Sequence, residues 1–143
     1  MQDQAAGPAG VAPPSPARLR AHFDALNAAY FYGTCSATIV WGRAGRPQRR
    51  QRRSMLLGSY CQREHLIRIH PALADAIVPD YVLELVVFHE MLHEFLGTDG
   101  LGPGGRRRLH PPEFRAIEQS HPRHAAAAAW EARSLAQLLR LRA

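Results

Sequence analysis

The sequence contains no lysine, few cysteines and no long apolar run, so all 18 basic residues are arginine. Cys35 and Cys61 are too few for a disulfide scaffold or a four-cysteine zinc site, and we expect both to be buried free thiols. No segment approaches the ~18 consecutive apolar residues of a membrane-spanning helix. These absences argue against a disulfide-rich fold, a zinc ribbon and a membrane partner.

The N-terminal segment also lacks the features of a signal peptide. Residues 1–17 hold a single charged side chain and no apolar block, so a basic start and a hydrophobic middle are both missing. A cytoplasmic location is the resulting expectation. Because residues 1–16 are rich in Ala, Gly and Pro, they are predicted to be a disordered tail, and residues 17–143 to form one domain.

The positive charge of the chain has two explanations. The formal net charge is +6, and arginines cluster at Arg43–Arg53 and Arg106–Arg108. Arginine pairs well with phosphate, so these clusters could bind nucleic acid weakly. A GC-rich coding bias also produces an arginine-rich chain without lysine, and charge runs at hairpin tips are usually solvated loops. Net charge leaves both explanations open.

Periodicity and turn signals predict an α+β fold. Ser15 and Pro16 suit the N-cap and first position of an N-terminal helix that runs to about Tyr30. The segment Gly42–Arg53 is typical of a hairpin connection within a small antiparallel or mixed sheet. The other predicted elements are three strands, Ala37–Trp41, Met55–Tyr60 and Leu66–Ile69, and three helices, about Asp80–Leu96, Pro112–Ser120 and His124–Leu141.

The helix at about Asp80–Leu96 is the strongest in the sequence. Asp80 is a good N-cap, and Gly97 follows the last turn as a C′ glycine does. A helix that is apolar around most of its circumference is central and buried. Within residues 81–96 the strongly polar side chains are Glu84, His89, Glu90, His93 and Glu94.

An HExxH motif lies inside this helix, at His89-Glu90-Met91-Leu92-His93. Residues four apart are about 40° apart around the helix axis, so both imidazoles point the same way and can share one ion. Glu90 lies about 100° further round, where it can hold a water as a general base. Composition predicts only ~0.02 such matches by chance. The alternative is a pair of core histidines with Glu90 in a local hydrogen bond.

A catalytic zinc needs a third protein ligand and an open position for water. Asp99 has the offset of metzincin-type enzymes, but the glycine of that motif and a later methionine are missing. Glu113 has thermolysin-type spacing, and His121 is a further candidate. His110 is preferred because a glycine-rich loop can bring it back to the ion and because imidazole is a favoured zinc ligand.

These residues resemble the SprT-like (Spartan-type) zinc metallopeptidase domain. The pattern of that family is HExxH, a variable loop and then H-x-x-E-F, which here is His110-Pro111-Pro112-Glu113-Phe114. The likeness covers about residues 20–120, and its upstream positions are Phe23-Asp24, Leu26-Asn27, Tyr30-Phe31, Gly33, Ile39, Trp41, Leu57-Gly58, Ile67, Ile69, Pro71 and Leu73.

The resemblance implies a zincin-like core that cleaves protein or peptide substrates. In it His89, His93 and His110 bind Zn2+ and Glu90 is the catalytic base. Many members also carry a zinc ribbon or DNA-binding appendages. This chain has only two cysteines, too few for a zinc ribbon. Other functions that stay open are a protease acting on DNA-bound or crosslinked proteins, a non-catalytic zinc-binding module, and a hydrolase of non-peptide substrates.

Supporting roles are less defined. Tyr60, Tyr81 and Arg106–Arg108 are conceivable donors to a developing oxyanion. Glu94 could orient a histidine, although a solvent-facing position is the more common one for such a residue. The strand Leu66–Ile69 is either an exposed edge that an extended peptide could join or an ordinary internal strand.

Overall fold

The computed structural model describes residues 14–43, 57–97 and 110–142. Some sequence predictions concern residues outside these ranges, namely residues 1–13, the arginines that follow Arg43 in its run, Asp99 and Arg106–Arg108. The described elements are the helices α1 (Pro16–Tyr30), α2 (Asp80–Leu96), α3 (Pro112–Gln119) and α4 (His124–Arg142), a 3-10 turn (Pro71–Ala74), and the strands β1 (Thr38–Trp41), β2 (Gly58–Cys61) and β3 (Leu66–Ile69).

Helix α1 begins where Ser15 and Pro16 predict and ends at the predicted Tyr30. The Ser15 hydroxyl accepts a hydrogen bond from the Ala17 N–H at 3.2 Å, and Pro16 occupies the first turn. The helix ends at Tyr30, after which the Asn27 side chain holds both the N–H and the carbonyl of Cys35. Its buried side chains recur at helical spacing: Leu19, Phe23 and Leu26.

The sheet is mixed, which is one of the two arrangements that the sequence predicts. Its strand order is β1-β3-β2. β1 pairs with β3 in parallel, and β2 pairs with β3 in antiparallel orientation. The predicted hairpin between the first two strands is therefore wrong, because both of them pair with β3 instead. β3 is the central strand, so the internal alternative for Leu66–Ile69 is right and the edge alternative is wrong. Its inward residues, Ile67 and Ile69, are fully buried.

Helix α2 has the predicted bounds, Asp80–Leu96, and ends on Gly97 in the left-handed region (φ 71°). The predicted N-cap is wrong by one residue, because Pro79 is the cap and Asp80 is the first helical residue. The carboxylate of Asp80 is engaged elsewhere: it accepts hydrogen bonds from Arg18 at 3.0 Å and His22 at 3.1 Å on α1.

Helix α2 is central, as its apolar circumference predicts. It packs against α1, α3, α4, β2 and β3, and most of its side chains are buried. Phe114 of α3 is fully buried, and α4 buries Ala127, Trp130, Leu135 and Leu138. The α+β class is confirmed for the described residues. Within them, no helix is both long and apolar enough to cross a membrane.

Candidate metal centre

The two histidines of the motif and His110 come together at one point. Each of these three residues offers a ring nitrogen, and the three nitrogens all lie within 4.8 Å of one another. His89 and His93 are one turn apart on α2, and His110 immediately precedes the two prolines that open α3. All three rings surround the buried ring of Phe114, at centroid distances of 5.0, 4.5 and 4.9 Å for His89, His93 and His110.

The spacing of these nitrogens fits a metal ion. A tetrahedral ion bound to imidazole nitrogens at 2.0–2.1 Å separates its ligand atoms by about 3.3 Å. The Nε2 atoms of His89 and His110 are 3.1 Å apart. Three imidazoles, without a fourth protein ligand among the described residues, also form the donor set of catalytic zinc sites. The three histidines are therefore compatible with a bound metal ion.

Two of the other predicted third ligands, Glu113 and His121, do not reach this point. Glu113 is exposed on the first turn of α3. His121 is buried, but its Nε2 lies 3.0 Å from Glu84 Oε2 and its Nδ1 accepts from the Arg123 N–H, so both ring nitrogens are engaged. Asp99 lies outside the described residues.

Glu90 is buried beside the histidines. Its side chain is 3% exposed and makes no hydrogen bond to any described residue. One of its oxygens lies close to Gly58 of β2, where an added Cβ would be 3.2 Å away. Burial raises the pKa of Glu90 to about 7, with His89 opposing this shift and Glu118 adding to it. A carboxyl group with this pKa can both accept and return a proton at neutral pH.

Glu118 is a site residue that the sequence reasoning missed. Its Oε2 lies 2.5 Å from His89 Nδ1, which leaves Nε2 of that ring for a metal ion. Burial disfavours the charged form of both groups, but their mutual hydrogen bond and opposite charges outweigh it. The pKa of His89 is therefore raised and the pKa of Glu118 is lowered. The available signal was helical spacing, since Glu118 follows Phe114 by four residues and therefore lies on the same face of α3.

Glu94 has a role that neither sequence expectation described. Its side chain is only 8% exposed, and its Oε2 accepts from the N–H groups of Ser36 at 2.8 Å and Ala37 at 3.1 Å. It thus anchors the chain entering β1 to the last turn of α2. Burial and the nearby Glu94 carboxylate raise the pKa of the Cys35 thiol to about 12. Cys35 is buried as expected, whereas Cys61 is only partly buried.

A second cluster of reactive groups, Ser36, His65 and Glu94, does not form a nucleophilic triad. The Ser36 hydroxyl lies 2.9 Å from His65 Nε2, and the Glu94 carboxylate lies 3.4 Å from the same nitrogen. A triad needs its serine and its carboxylate on opposite ring nitrogens. Its contacts instead hold Ser36 and Ala37, the residues that lead into β1.

A pocket of about 250 Å3 opens beside the histidines and Glu90. Tyr60 and Tyr81, the conceivable oxyanion donors, do not line it and instead pack against the core. Side chains from α2, α3, α4 and the residue before β2 form its wall: Leu57, Leu85, Val86, His89, Glu90, Glu118, His124, Ala127, Ala128 and Glu131.

Comparisons with protein families, curated proteins and solved structures find no match to this chain. The function is therefore inferred from the geometry of the site and from its motifs.

Proposed function

We propose that this protein is a zinc-dependent metallopeptidase with a zincin-like core of the SprT-like type. The observation that carries the proposal is the convergence of His89, His93 and His110 beside the buried carboxyl group of Glu90. The HExxH motif alone requires only two of these ligands to be neighbours. The third imidazole, that of His110, comes from a separate segment of the chain. Its position next to the His89 ring supports a metal-binding site.

The three imidazoles would hold the metal, and a bound Zn2+ would supply Lewis-acid activation of a water and of the scissile carbonyl group. Glu90 takes the proton of the attacking water and returns it to the leaving amine. Its burial suits this role, because a carboxyl group that is desolvated and makes no hydrogen bond to the described residues is a strong acceptor. Glu118 holds the His89 ring in one orientation throughout.

The substrate would bind in an extended conformation along β2. Within the described residues this strand pairs on one side only, with β3, and its Gly58 lies against Glu90. A peptide added to the other side of β2 would receive main-chain hydrogen bonds and pass the general base. The substrate edge that we propose is thus β2, whereas the sequence reasoning had considered β3.

The alternatives receive less support from the described residues. A structural zinc site is closed by four protein ligands, for which Asp99 and His121 are the candidates. Among the described residues His121 does not provide the fourth ligand, and Asp99 lies outside them. A buried Glu90 beside the histidines would also have no use in such a site. For a DNA-associated protease, the arginine clusters that would contact the phosphates lie largely outside the described residues.

Metal content and proteolysis, measured together, test the proposal. We expect elemental analysis to find one zinc ion per chain in the wild type and much less in His110→Ala. The Glu90→Gln variant should keep its zinc and lose at least about a hundredfold of its activity on an unfolded protein such as casein. Undiminished zinc in His110→Ala would contradict the three-histidine site. Full activity of Glu90→Gln would contradict the assigned base, and absence of zinc under metal-replete conditions would overturn the enzyme proposal.

A further inference from the structure

The pocket beside the proposed reaction centre has an aliphatic part. Helix α2 and the residue before β2 contribute its larger apolar side chains, Leu85, Val86 and Leu57. Helix α4 contributes Ala127 and Ala128, whose short side chains leave space in front of that helix. A volume of about 250 Å3 suits one amino-acid side chain better than a separate ligand, since ligand pockets usually measure about 300–1,000 Å3.

The ionisable side chains that line the rest of the pocket are engaged within the protein. Glu118 is hydrogen bonded to His89, and His124 interacts electrostatically with the same carboxylate. Glu131 interacts electrostatically with His89 and has a further interaction in the structure. The remaining carboxyl group, that of Glu90, has the attacking water as its proposed partner. A charged group from a substrate would have to displace these contacts, whereas a neutral side chain leaves them intact.

Ala128 limits the space in the pocket on the side of α4. Ala127 is buried whereas Ala128 is exposed, so Ala128 lies where the pocket meets solvent. A larger side chain at this position would occupy part of the pocket without disturbing the core, because substitutions at exposed positions usually change stability little. The neighbouring Ala129 is also exposed but does not line the pocket. The same substitution can therefore be made inside and outside the pocket.

We propose that this pocket receives a neutral aliphatic side chain of the protein substrate, at a residue beside the cleaved bond, with Ala128 as the residue that limits its size. Each methylene group buried against Leu57, Leu85 and Val86 contributes to binding. A cationic or anionic side chain would lose its hydration among groups that already have partners. The inference rests on the proposed peptidase function, because it assigns the pocket to a residue of the cleaved chain.

Peptides that differ at one position provide the test. The cleavage site is first mapped on casein by mass spectrometry, and fluorogenic peptides then carry alanine, norleucine, lysine or glutamate at each of the two positions that flank it. Norleucine retains the carbon chain of lysine and removes its charge. At one of these positions we expect kcat/KM for norleucine to exceed that for alanine by at least about tenfold, since one methylene in an apolar pocket changes it by about 10- to 200-fold. Norleucine should also exceed lysine and glutamate there.

Ala128→Leu should lower the ratio of norleucine to alanine cleavage by at least about tenfold, because the added side chain fills space that norleucine needs. Ala129→Leu is the matched control and should keep the wild-type ratio. Leucine is a good helix former, so both variants should fold. An equal loss of the preference in both variants would show that the pocket does not select the substrate. A wild type that cleaves the alanine, lysine or glutamate peptide as fast as the norleucine peptide at both positions would also overturn the inference.

Peptide binding to the zinc-loaded Glu90→Gln protein, measured by fluorescence anisotropy, gives a readout that does not depend on turnover. If casein is not cleaved, norleucine and alanine are compared at each position of a casein-derived peptide in turn. Tighter binding of a norleucine peptide, lost in the Glu90→Gln/Ala128→Leu double variant, supports the pocket even if the wild type cleaves nothing, in which case only the peptidase proposal fails. Cleavage without a norleucine preference in rate or affinity leaves the peptidase proposal intact and refutes the pocket. Neither cleavage nor selective binding would refute both.

Discussion

At the scale of single residues, the orientation of His89 depends on a carboxylate from another helix. Glu118 Oε2 lies 2.5 Å from His89 Nδ1, and both side chains are largely buried, at 21% and 14% exposure. A hydrogen bond of this kind favours the tautomer that leaves Nε2 available to a metal ion, and it would make the ring a better ligand. The affinity of the candidate site for a metal ion should therefore depend on the position of α3.

Removal of the Glu118 carboxylate should weaken zinc binding. We expect Glu118→Ala to lower zinc affinity by about 10- to 100-fold, because His89 loses the partner that orients it. Glu118→Gln keeps a hydrogen-bond acceptor and should lose less. Competition with a chromogenic chelator measures both, with Glu113→Ala as the control on the exposed face of α3. Equal affinities in all three variants would show that Glu118 does not act on the metal site.

At the scale of elements, β2 and α2 lie close together at Gly58. An added Cβ there would lie 3.2 Å from the Arg68 carbonyl oxygen, from Val86 Cγ1 and from Glu90 Oε2. The carbonyl belongs to the neighbouring strand β3, which the sheet hydrogen bonds hold in place. The absence of a side chain at Gly58 thus permits the close approach of β2, the proposed substrate edge, to Glu90, the proposed general base.

Gly58→Ala should disturb this interface. We expect a loss of about 1–3 kcal/mol in the free energy of unfolding, measured by denaturant titration, because a close-packed position accepts an extra methyl group poorly. Proteolytic activity should fall further than the lost stability explains, since Glu90 would be displaced. Gly42→Ala is the control, because its added Cβ would meet its neighbours only at 3.6 Å or more. A Gly58→Ala protein with wild-type stability and activity would contradict the close approach.

At the scale of the whole molecule, the described elements meet on α2. Its first residue is tied to α1 through Arg18 and His22, and its last turn is tied to the start of β1 through Glu94. Phe114 of α3 packs among the three histidine rings of the candidate metal centre, while α4 lines the pocket. The helix that carries the motif is thus held at both ends by contacts distant in sequence, and this restricts how far its histidines can move.

The contact at the start of α2 should give a small pH dependence of stability. Burial would raise the pKa of Asp80, but hydrogen bonds from Arg18 and His22 outweigh it, so the pKa lies below the ordinary 3.8. The ionised form is favoured in the folded protein, so its contribution is present above pH 3.8 and is lost as the pH falls through the lowered pKa. Because Asp80 is solvent exposed, screening keeps this contribution below about 1 kcal/mol.

Asp80→Asn tests this sign. We expect the variant to be slightly less stable than the wild type at pH 6 and to converge with it near pH 2, as measured by urea denaturation. Asp24→Asn is the control, since the ion pair that Asp24 makes among the described residues, with Arg20, lies within α1. A difference that grew on acidification would contradict the assigned direction of the pKa shift.

The sequence by itself determined the features that depend on near neighbours. The start of α1 follows from Ser15 and Pro16, and the bounds of α2 follow from its apolar run and Gly97. The common direction of His89 and His93 follows from helical spacing alone. These signals act within a few residues, so they can be recognised without knowledge of the tertiary structure.

Only the tertiary structure decided the features that depend on distant segments. The central position of β3 depends on hydrogen bonds from two strands that are remote from each other, and local turn signals favoured a hairpin instead. Glu118 meets His89 across 29 residues, and Glu94 accepts hydrogen bonds from the N–H groups of Ser36 and Ala37 before β1. Spacing along the chain does not encode such encounters, since packing and hydrogen-bond satisfaction select them only after the helices and strands have assembled.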